Sequence, residues 1–162
     1  MLASRAALRA MTTQTRAMSS LNKVIFTSTC KSTGREGTVE AVGDSGSGLS
    51  LSLEKHTDHG GKGGATNPEE LFAAGYSACF NGALQFMAAQ NNIECGPSTT
   101  TAAVQFGTTD SGVGLAVQLS VEIEGVDQAT ADQLAALAHG FCPYSKATSG
   151  NIDVGVTASG GV

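Results

Sequence analysis

Residues 65–80 read Ala-Thr-Asn-Pro-Glu-Glu-Leu-Phe-Ala-Ala-Gly-Tyr-Ser-Ala-Cys-Phe, and this stretch predicts the long central helix of the fold. Asn67 is a typical N-cap, Pro68 suits the first helical position, and Glu70 stands three residues after the cap. Polar residues are rare from there to about Asn91. The helix is therefore expected to be apolar on nearly all sides and buried.

The same helix carries a row of small side chains that would let a second helix approach closely. These are Ala74, Gly75, Ala78 and Gly82. Two copies of this row crossing in antiparallel fashion would form an isologous homodimer, which we expect. The composition agrees with an oligomer, because 41% of the residues are hydrophobic and only 14% are charged.

The chain of 162 residues is long enough for one domain, with or without a tail. Its net charge of −5 offers no electrostatic reason to bind nucleic acid, so no nucleic-acid partner is expected. No apolar run approaches the roughly 20 residues that a membrane-spanning helix needs, so no membrane span is expected.

The N-terminal residues have the composition of an organellar targeting signal. The first 35 residues contain no Asp or Glu, and the early arginines alternate with small and apolar residues. We therefore predict a mitochondrial transit peptide over residues 1–18, a folded domain over 21–162 and a matrix location. A disordered, weakly basic tail on a cytoplasmic protein is the alternative. Both compartments are reducing, so structural disulfides are not expected among the four cysteines.

Segments rich in β-branched or alternating apolar residues predict six strands, with residues 107–113 connecting the fourth to the fifth. They cover residues 23–30, 38–42, 49–53, 99–106, 114–123 and 152–157. A second helix begins at Asp127 or Thr130 and stops near Gly140, and Pro143 starts a short helical turn. The order β-β-β-α-β-β-α-β predicts an α+β fold with antiparallel sheets around central buried helices.

Cys79 and Cys142 are the candidate reactive residues, and each is expected to lie in a setting that favours a thiolate. Cys142 stands at the start of the short helical turn, where unpaired backbone N–H groups favour a thiolate. Cys79 lies on the central helix, where a free cysteine is often no more than a small core residue. A peroxide-reducing pair needs a thiolate with a cation nearby, and a second thiol that reaches the oxidised sulfur.

Arg35 is the only arginine beyond the predicted transit peptide. Its planar guanidinium is suited to hold a thiolate and a peroxide oxygen, and Glu69 is the carboxylate that would orient it. Ten residues separate Glu69 from Cys79, which is about 15 Å along an unbroken helix. Either the helix begins later or bends, or the Arg–Glu pair reaches Cys79 from a second chain or over a folded-back loop.

The remaining candidates are weaker. His56 and His59 lack a third ligand, so no metal site is expected. Cys30 and Cys95 are interpreted as structural bystanders. His139 precedes Cys142 by three residues and is interpreted as a helix-end imidazole, with a base or ligand function as the alternative.

Three segments resemble those of the organic hydroperoxide resistance (Ohr) proteins, the peroxidase branch of the OsmC-like superfamily. The first is residues 67–80 around Cys79, and the second is Cys-Pro-Tyr-Ser-Lys-Ala-Thr at 142–148 followed by Gly-Asn-Ile-Asp-Val at 150–154. The third is Gly-Arg-Glu-Gly at 34–37. Together they anchor the likeness over about residues 21–158. Lys146 departs from the family, in which Asn is common at this position.

The resemblance implies an intertwined homodimer that reduces organic hydroperoxides, including those of fatty acids, to alcohols. It implies that Cys79 attacks the peroxide, that Cys142 resolves the product as a disulfide, and that Arg35 and Glu69 hold thiolate and peroxide. It implies no metal, haem or flavin, and a lipoylated protein with its dihydrolipoyl arm as the reductant. The alternatives are a redox-sensing module with a regulatory disulfide and an α+β domain with inert thiols.

Overall fold

The structure, a computed structural model, describes residues 20–43 and 48–161. The predicted transit peptide at 1–18 lies outside the described residues. The elements are β1 (Thr29–Ser32), β2 (Thr38–Val42), β3 (Ser50–Ser52), α1 (Pro68–Gln90), β4 (Ser98–Thr109), β5 (Gly112–Glu124), α2 (Gln128–Phe141), α3 (Pro143–Thr148) and β6 (Val154–Gly161). A single 3₁₀ turn spans Thr57–His59 between β3 and α1. None of the helices in these ranges combines the length and the apolar character that crossing a bilayer requires.

The strands form two three-stranded sheets, in the orders β1-β2-β3 and β4-β5-β6. The predicted α+β class is confirmed, but the prediction of purely antiparallel sheets is wrong for one pair of strands. β6 runs parallel to β5, with Val117 opposite Val154 and Glu124 opposite Gly161. The reason is that α2 and α3 lie between these strands and form a crossover, which returns the chain to the same end of the sheet.

The hairpin of β4 and β5 is longer than predicted. Its register runs from Ser98 opposite Ile123 to Thr109 opposite Gly112, which leaves only two residues in the turn. The prediction of a connecting loop over 107–113 is therefore wrong. Cross-strand pairing continues through the glycines of this segment, because the backbone hydrogen bonds of the ladder do not depend on side chains.

The hydrophobic core lies between α1, α2 and one face of the sheet β4-β5-β6. Alternate residues of β5 point into it, as the two-residue period of a strand requires. Its fully or almost fully buried members include Tyr76, Phe80, Leu84, Leu119, Val121, Ile123, Leu134 and Ala138. This core fixes the face of α1 that carries Tyr76 and Phe80, and so determines where the neighbouring Cys79 lies.

The helix α1 is buried on one side only within the single chain, which differs from the prediction of a helix buried on nearly all sides. Ala74, Ala78 and Gly82, spaced four residues apart on one face, are exposed. Phe86, one turn further along, is 45% exposed. Three residues of the predicted row of small side chains therefore form an open apolar face of the described chain, whereas Gly75 packs against Tyr144.

The predicted first strand is also shorter than expected. Residues 23–28 have no regular secondary structure, and β1 begins only at Thr29. Val24, Ile25 and Phe26 are 62%, 87% and 80% exposed. A segment with a strand-like sequence thus lacks a strand partner within the described residues.

The start of α1 confirms the predicted N-cap. The Asn67 side-chain oxygen accepts the backbone N–H of Glu70 at 2.8 Å, and Asn67 itself is buried. The Glu70 carboxylate accepts the hydroxyl of Thr66 at 2.7 Å. At α2 the Asp127 carboxylate accepts the Thr130 N–H at 2.8 Å, so Asp127 is the N-cap. Of the two predicted starts of this helix, Asp127 is therefore correct and Thr130 is not.

Replacing Asn67 with Ala removes the oxygen that accepts the Glu70 N–H. We expect the free energy of unfolding to fall by about 1 kcal/mol, measured by chemical denaturation at one fixed protein concentration. Asn67→Asp keeps a capping oxygen and should stay close to the wild-type value. An equal loss in both variants would contradict the capping explanation.

Candidate active site

The structure brings Cys79 and Cys142 into contact although they are 63 positions apart in sequence. The Cys142 thiol lies 3.5 Å from the Cys79 sulfur. Cys142 is fully buried, Cys79 is half-buried, and both are free thiols. Since a disulfide bond is about 2.05 Å long, closing this one requires the sulfurs to approach by roughly 1.5 Å. The arrangement is that of two reduced thiols poised to form a disulfide.

The junction of α2 and α3 positions Cys142. Cys142 ends α2 with its N–H bonded to the carbonyl of Ala138 at 2.8 Å, and its own carbonyl accepts the Lys146 N–H at 3.0 Å. As the N-cap of α3 it has an extended backbone, with φ −56° and ψ 125°, and its side chain makes no capping hydrogen bond. The sulfur therefore faces the neighbouring helix α1 and Cys79 instead of its own helix.

The environment of Cys79 within the single chain does not favour the thiolate. Burial raises the pKa of the Cys79 thiol, the backbone N–H of Tyr144 acts in the lowering direction, and Cys142 raises it again. The net direction is upward, which contradicts the expectation that Cys79 sits in a setting that lowers its pKa. The physical reason is that no cation is among the groups that act on this sulfur.

Arg35 and Glu69 form the second pair. The Arg35 Nη2 atom lies 2.7 Å from Glu69 Oε1 and 2.8 Å from Oε2. The Glu69 side chain is 18% exposed and that of Arg35 is 42% exposed. The guanidinium also lies 5.5 Å from the centre of the Phe106 ring. The turn between β1 and β2 thus folds back onto the first turn of α1.

This ion pair lines a cavity of about 660 Å³. Its polar side includes Arg35, Glu69 and the two histidines of the 3₁₀ segment, and its apolar side is formed by Ala102, Val104, Phe106 and Val113. Neither Cys79 nor Cys142 lines it. The cavity can hold an apolar group next to the Arg35–Glu69 ion pair, and the carboxyl groups of Asp58 and Glu70 also line it.

The four predicted site residues therefore form two separate pairs. Because α1 is unbroken from Pro68 to Gln90, Glu69 and Cys79 stand about 15 Å apart along its axis. The alternative in which the helix begins later is wrong, and α1 has no break that would bring Glu69 next to Cys79. The folded-back loop reaches Glu69 but does not carry Arg35 to Cys79. Of the routes considered from the sequence, only a second chain remains.

None of the weaker candidates is among the groups that act on the Cys79 sulfur. His56 Nδ1 accepts the Asp58 N–H, and the His59 ring contacts Phe106 edge-on at 5.3 Å. Across the described ranges, no three His, Cys, Asp or Glu side chains are grouped as a metal site. Cys30 is exposed on β1, and Cys95 is packed against the core. The Nδ1 atom of His139 is buried without a hydrogen-bond partner among these residues.

Sequence reasoning missed a backbone donor to Cys79 and a buried hydroxyl cluster between α1 and α3. The backbone N–H of Tyr144 donates to Cys79. The Tyr76 hydroxyl lies 3.0 Å from Ser145 Oγ and 3.2 Å from Thr148 Oγ1. The sequence offered one signal for the hydroxyl cluster, because Tyr76 lies in an otherwise apolar helix. A buried phenol hydroxyl requires a hydrogen-bond partner.

Known proteins resemble this chain over most of its length. Residues 60–157 match the family described as OsmC-like protein. The organic hydroperoxide resistance protein of Xanthomonas axonopodis pv. citri is 43% identical over 143 residues, covering 86% of this chain and 99% of that protein.

Two solved bacterial structures share the fold. An organic hydroperoxide resistance protein from Legionella pneumophila has a TM-score of 0.79 and 41% identity, over 85% of this chain and 99% of that one. The organic hydroperoxide resistance protein OhrB of Bacillus subtilis has a TM-score of 0.74 and 38% identity, over 84% of this chain and 100% of that one. The likeness therefore covers both sheets and the helices between them.

Proposed function

Because this chain belongs to the OsmC-like family, among the organic hydroperoxide resistance proteins, we propose that it reduces organic hydroperoxides to alcohols. Cys79 is the attacking residue, Cys142 is the resolving residue, and fatty-acid hydroperoxides are the substrate class. The observation that carries the proposal is the 3.5 Å contact between the two sulfurs. An inert structural domain has no need to hold two free thiols, one fully buried, at this distance.

In the first step the Cys79 thiolate attacks the outer oxygen of the hydroperoxide. The O–O bond breaks, an S–O bond forms, and the departing alkoxide takes a proton to leave as the alcohol. The sulfur is oxidised by two electrons to a sulfenic acid while the peroxide is reduced. Only the thiolate is an effective nucleophile, so the raised pKa of Cys79 must be opposed by a positive charge.

In the second step the Cys142 sulfur attacks the sulfenic acid and displaces water. The product is the Cys79–Cys142 disulfide, which needs an external dithiol to return both residues to thiols. Dihydrolipoamide on a lipoylated protein is the proposed reductant, because its two thiols leave as an internal disulfide. Sulfur chemistry completes the electron balance of this cycle, so the proposal includes no metal, haem or flavin.

In a homodimer, Arg35 supplies the missing positive charge and Glu69 orients it. In an antiparallel pair of α1 helices that cross near Ala74, residue 69 of one chain lies at the same level along the helix axis as residue 79 of the other. The exposed small residues at 74, 78 and 82 permit this close crossing. Arg35 of the partner subunit then stands next to Cys79 and lowers the pKa of its thiol.

The same arrangement accounts for the other open surfaces. The exposed apolar segment at 24–26 gains a strand partner or a covering surface on the second chain. The cavity that holds Arg35 comes next to the partner's Cys79. Its apolar side, with Val104 and Phe106, is then the place for the hydrocarbon part of the hydroperoxide.

The first test compares Cys79→Ser with Cys142→Ser in the consumption of linoleic acid hydroperoxide. Cys79→Ser should abolish reduction, because no other described cysteine has a resolving thiol in contact. With the hydroperoxide limited to one equivalent, Cys142→Ser should consume it and stop at the sulfenic acid, since nothing resolves it. Peroxide loss and intact mass measure both outcomes, with Cys95→Ser as the matched control that keeps full activity.

Addition of dihydrolipoamide to the wild-type protein separates the enzyme from the redox-sensing alternative. Many turnovers support the enzyme. Consumption of a single equivalent, with the Cys79–Cys142 disulfide persisting, supports the sensor and contradicts the proposed cycle.

The second test uses a mixed dimer of an Arg35→Ala chain and a Cys79→Ser chain, purified through two different tags. Each homodimer should be slow or inactive, Arg35→Ala by about 10- to 100-fold because a charge-assisted hydrogen bond is lost. If Arg35 serves the partner's Cys79, the mixed dimer contains one intact site and should recover about half of the wild-type rate. Activity no higher than that of the Arg35→Ala homodimer would place Arg35 and Cys79 of one site on the same chain.

We also propose a mitochondrial matrix location, directed by residues 1–18, as the acid-free, arginine-bearing sequence suggests. Residues 1–20 fused to a fluorescent protein should direct it into mitochondria. A fusion with the three arginines changed to Gln should stay in the cytoplasm, because the matrix signal depends on positive charge. Cytoplasmic fluorescence from the unaltered fusion would support the basic-tail alternative instead.

A further inference from the structure

The helix that carries Cys79 and the helix that carries Cys142 are joined by a buried cluster of three hydroxyl groups. Tyr76 on α1 is fully buried, and Ser145 and Thr148 on α3 are 2% and 8% exposed. The Tyr76 hydroxyl donates to Ser145 Oγ at 3.0 Å and lies 3.2 Å from Thr148 Oγ1. Thr148 Oγ1 also donates to the backbone of α3, at 2.9 Å to the Tyr144 carbonyl. Every hydroxyl of this cluster therefore has a partner.

The cluster lies within one helical turn of each sulfur. Tyr76 precedes Cys79 by three residues on α1, and Ser145 follows Cys142 by three residues. Any shift of α3 along α1 would separate the phenol from its partners and leave buried polar groups unsatisfied. Such groups are costly to bury, so the cluster fixes the register of the two helices.

Close packing of Tyr144 on α1 reinforces the same contact. A Cβ atom at Gly75 would stand 3.1 Å from the Tyr144 hydroxyl oxygen and 3.2 Å from its Cε2 atom. The Tyr144 ring also stacks on Phe72 and contacts Tyr76, at centroid distances of 6.2 and 5.7 Å. The absence of a side chain at Gly75 thus lets α3 approach, while the hydroxyl cluster determines where along α1 it stops.

We propose that Tyr76 is a positioning residue whose buried hydroxyl holds α3 on α1 and so keeps Cys142 beside Cys79 for disulfide formation. The inference rests on the proposed function, since it concerns the second step of that cycle. It assigns Tyr76 no contact with substrate. The attack on peroxide depends on Cys79, Arg35 and Glu69, none of which lies on α3. The helix α3 acts on this step only through the Tyr144 N–H, whose effect on the Cys79 thiol is smaller than that of burial.

The distance between the two sulfurs explains why the position of α3 on α1 affects the rate of disulfide formation. The resolving sulfur has roughly 1.5 Å to travel from its 3.5 Å contact, a movement that a side chain can make if its helix stays in place. A loosened α3 lowers the fraction of molecules in which Cys142 is in reach. The sulfenic acid at Cys79 then lives longer and is exposed to a second hydroperoxide, which oxidises it to the sulfinic acid.

The test follows both steps separately in Tyr76→Phe, which removes one oxygen atom and keeps the ring in the core. With linoleic acid hydroperoxide, the rate of sulfenic acid formation should stay within about threefold of wild type. Disulfide formation should slow about tenfold, and excess hydroperoxide should give more sulfinic acid at Cys79. Rapid quenching with a sulfenic-acid trap, followed by peptide mass spectrometry, measures all three species.

Ser145→Ala removes the partner of the phenol and should slow the second step in the same way, which keeps the test decisive if Tyr76→Phe is poorly folded. Ser77→Ala is the matched control, because the Ser77 hydroxyl bonds only to the Ala74 carbonyl of its own helix among the contacts described. Equal slowing of both steps, or wild-type disulfide formation in both network variants, would overturn the proposal. Failure of the proposed function is a different result, since the wild-type protein itself would then form no sulfenic acid.

Discussion

The docking of α3 on α1 is the contact on which the chemistry of this chain depends. It joins two segments that are distant in sequence, and it is made by Gly75, the Tyr144 ring and the buried hydroxyl of Tyr76. Without it, Cys79 would be a small residue on an apolar helix and Cys142 a buried thiol at a helix junction. With it, the two sulfurs lie in contact and the Tyr144 N–H is directed at Cys79. Packing and polar contacts at one interface thus create a reactive pair.

The same docking leaves an electrostatic problem that the single chain does not solve. Burial raises the pKa of Cys79, in the middle of α1, whereas the guanidinium of Arg35 is bound to Glu69 in the first turn of the helix. A straight helix cannot bring residues 69 and 79 together, because each residue advances the axis by about 1.5 Å. In the proposed antiparallel dimer, the Arg35–Glu69 pair of one chain lies level with Cys79 of the other chain. The length of α1 then no longer separates the ion pair from a thiol.

Local signals predicted the parts of the fold that local interactions determine. The N-cap at Asn67, the end of α1 near Asn91 and the short helix after Cys142 all follow from backbone hydrogen bonding over a few residues. The parallel pairing of β6, the continuation of β4 and β5 through residues 107–113 and the irregular segment at 23–28 depend on distant partners. The pattern of apolar and polar residues within one segment does not identify its distant partners. The proximity of the two sulfurs belongs to this second class, and only the resemblance to a family pointed to it.

The separation of the Arg35–Glu69 pair from the Cys79–Cys142 pair within one chain also affects how readily the Cys79 thiol is oxidised. A half-buried cysteine with a raised pKa reacts slowly with oxidants, because little thiolate is present at neutral pH. In the proposed dimer, reactivity appears only where the partner's Arg35 reaches the sulfur, next to a cavity with an apolar wall. Assembly would therefore supply the charge and the binding surface for an apolar hydroperoxide in one step. A chain that held its own arginine against Cys79 would already carry the reactive thiolate before assembly placed that apolar wall beside it.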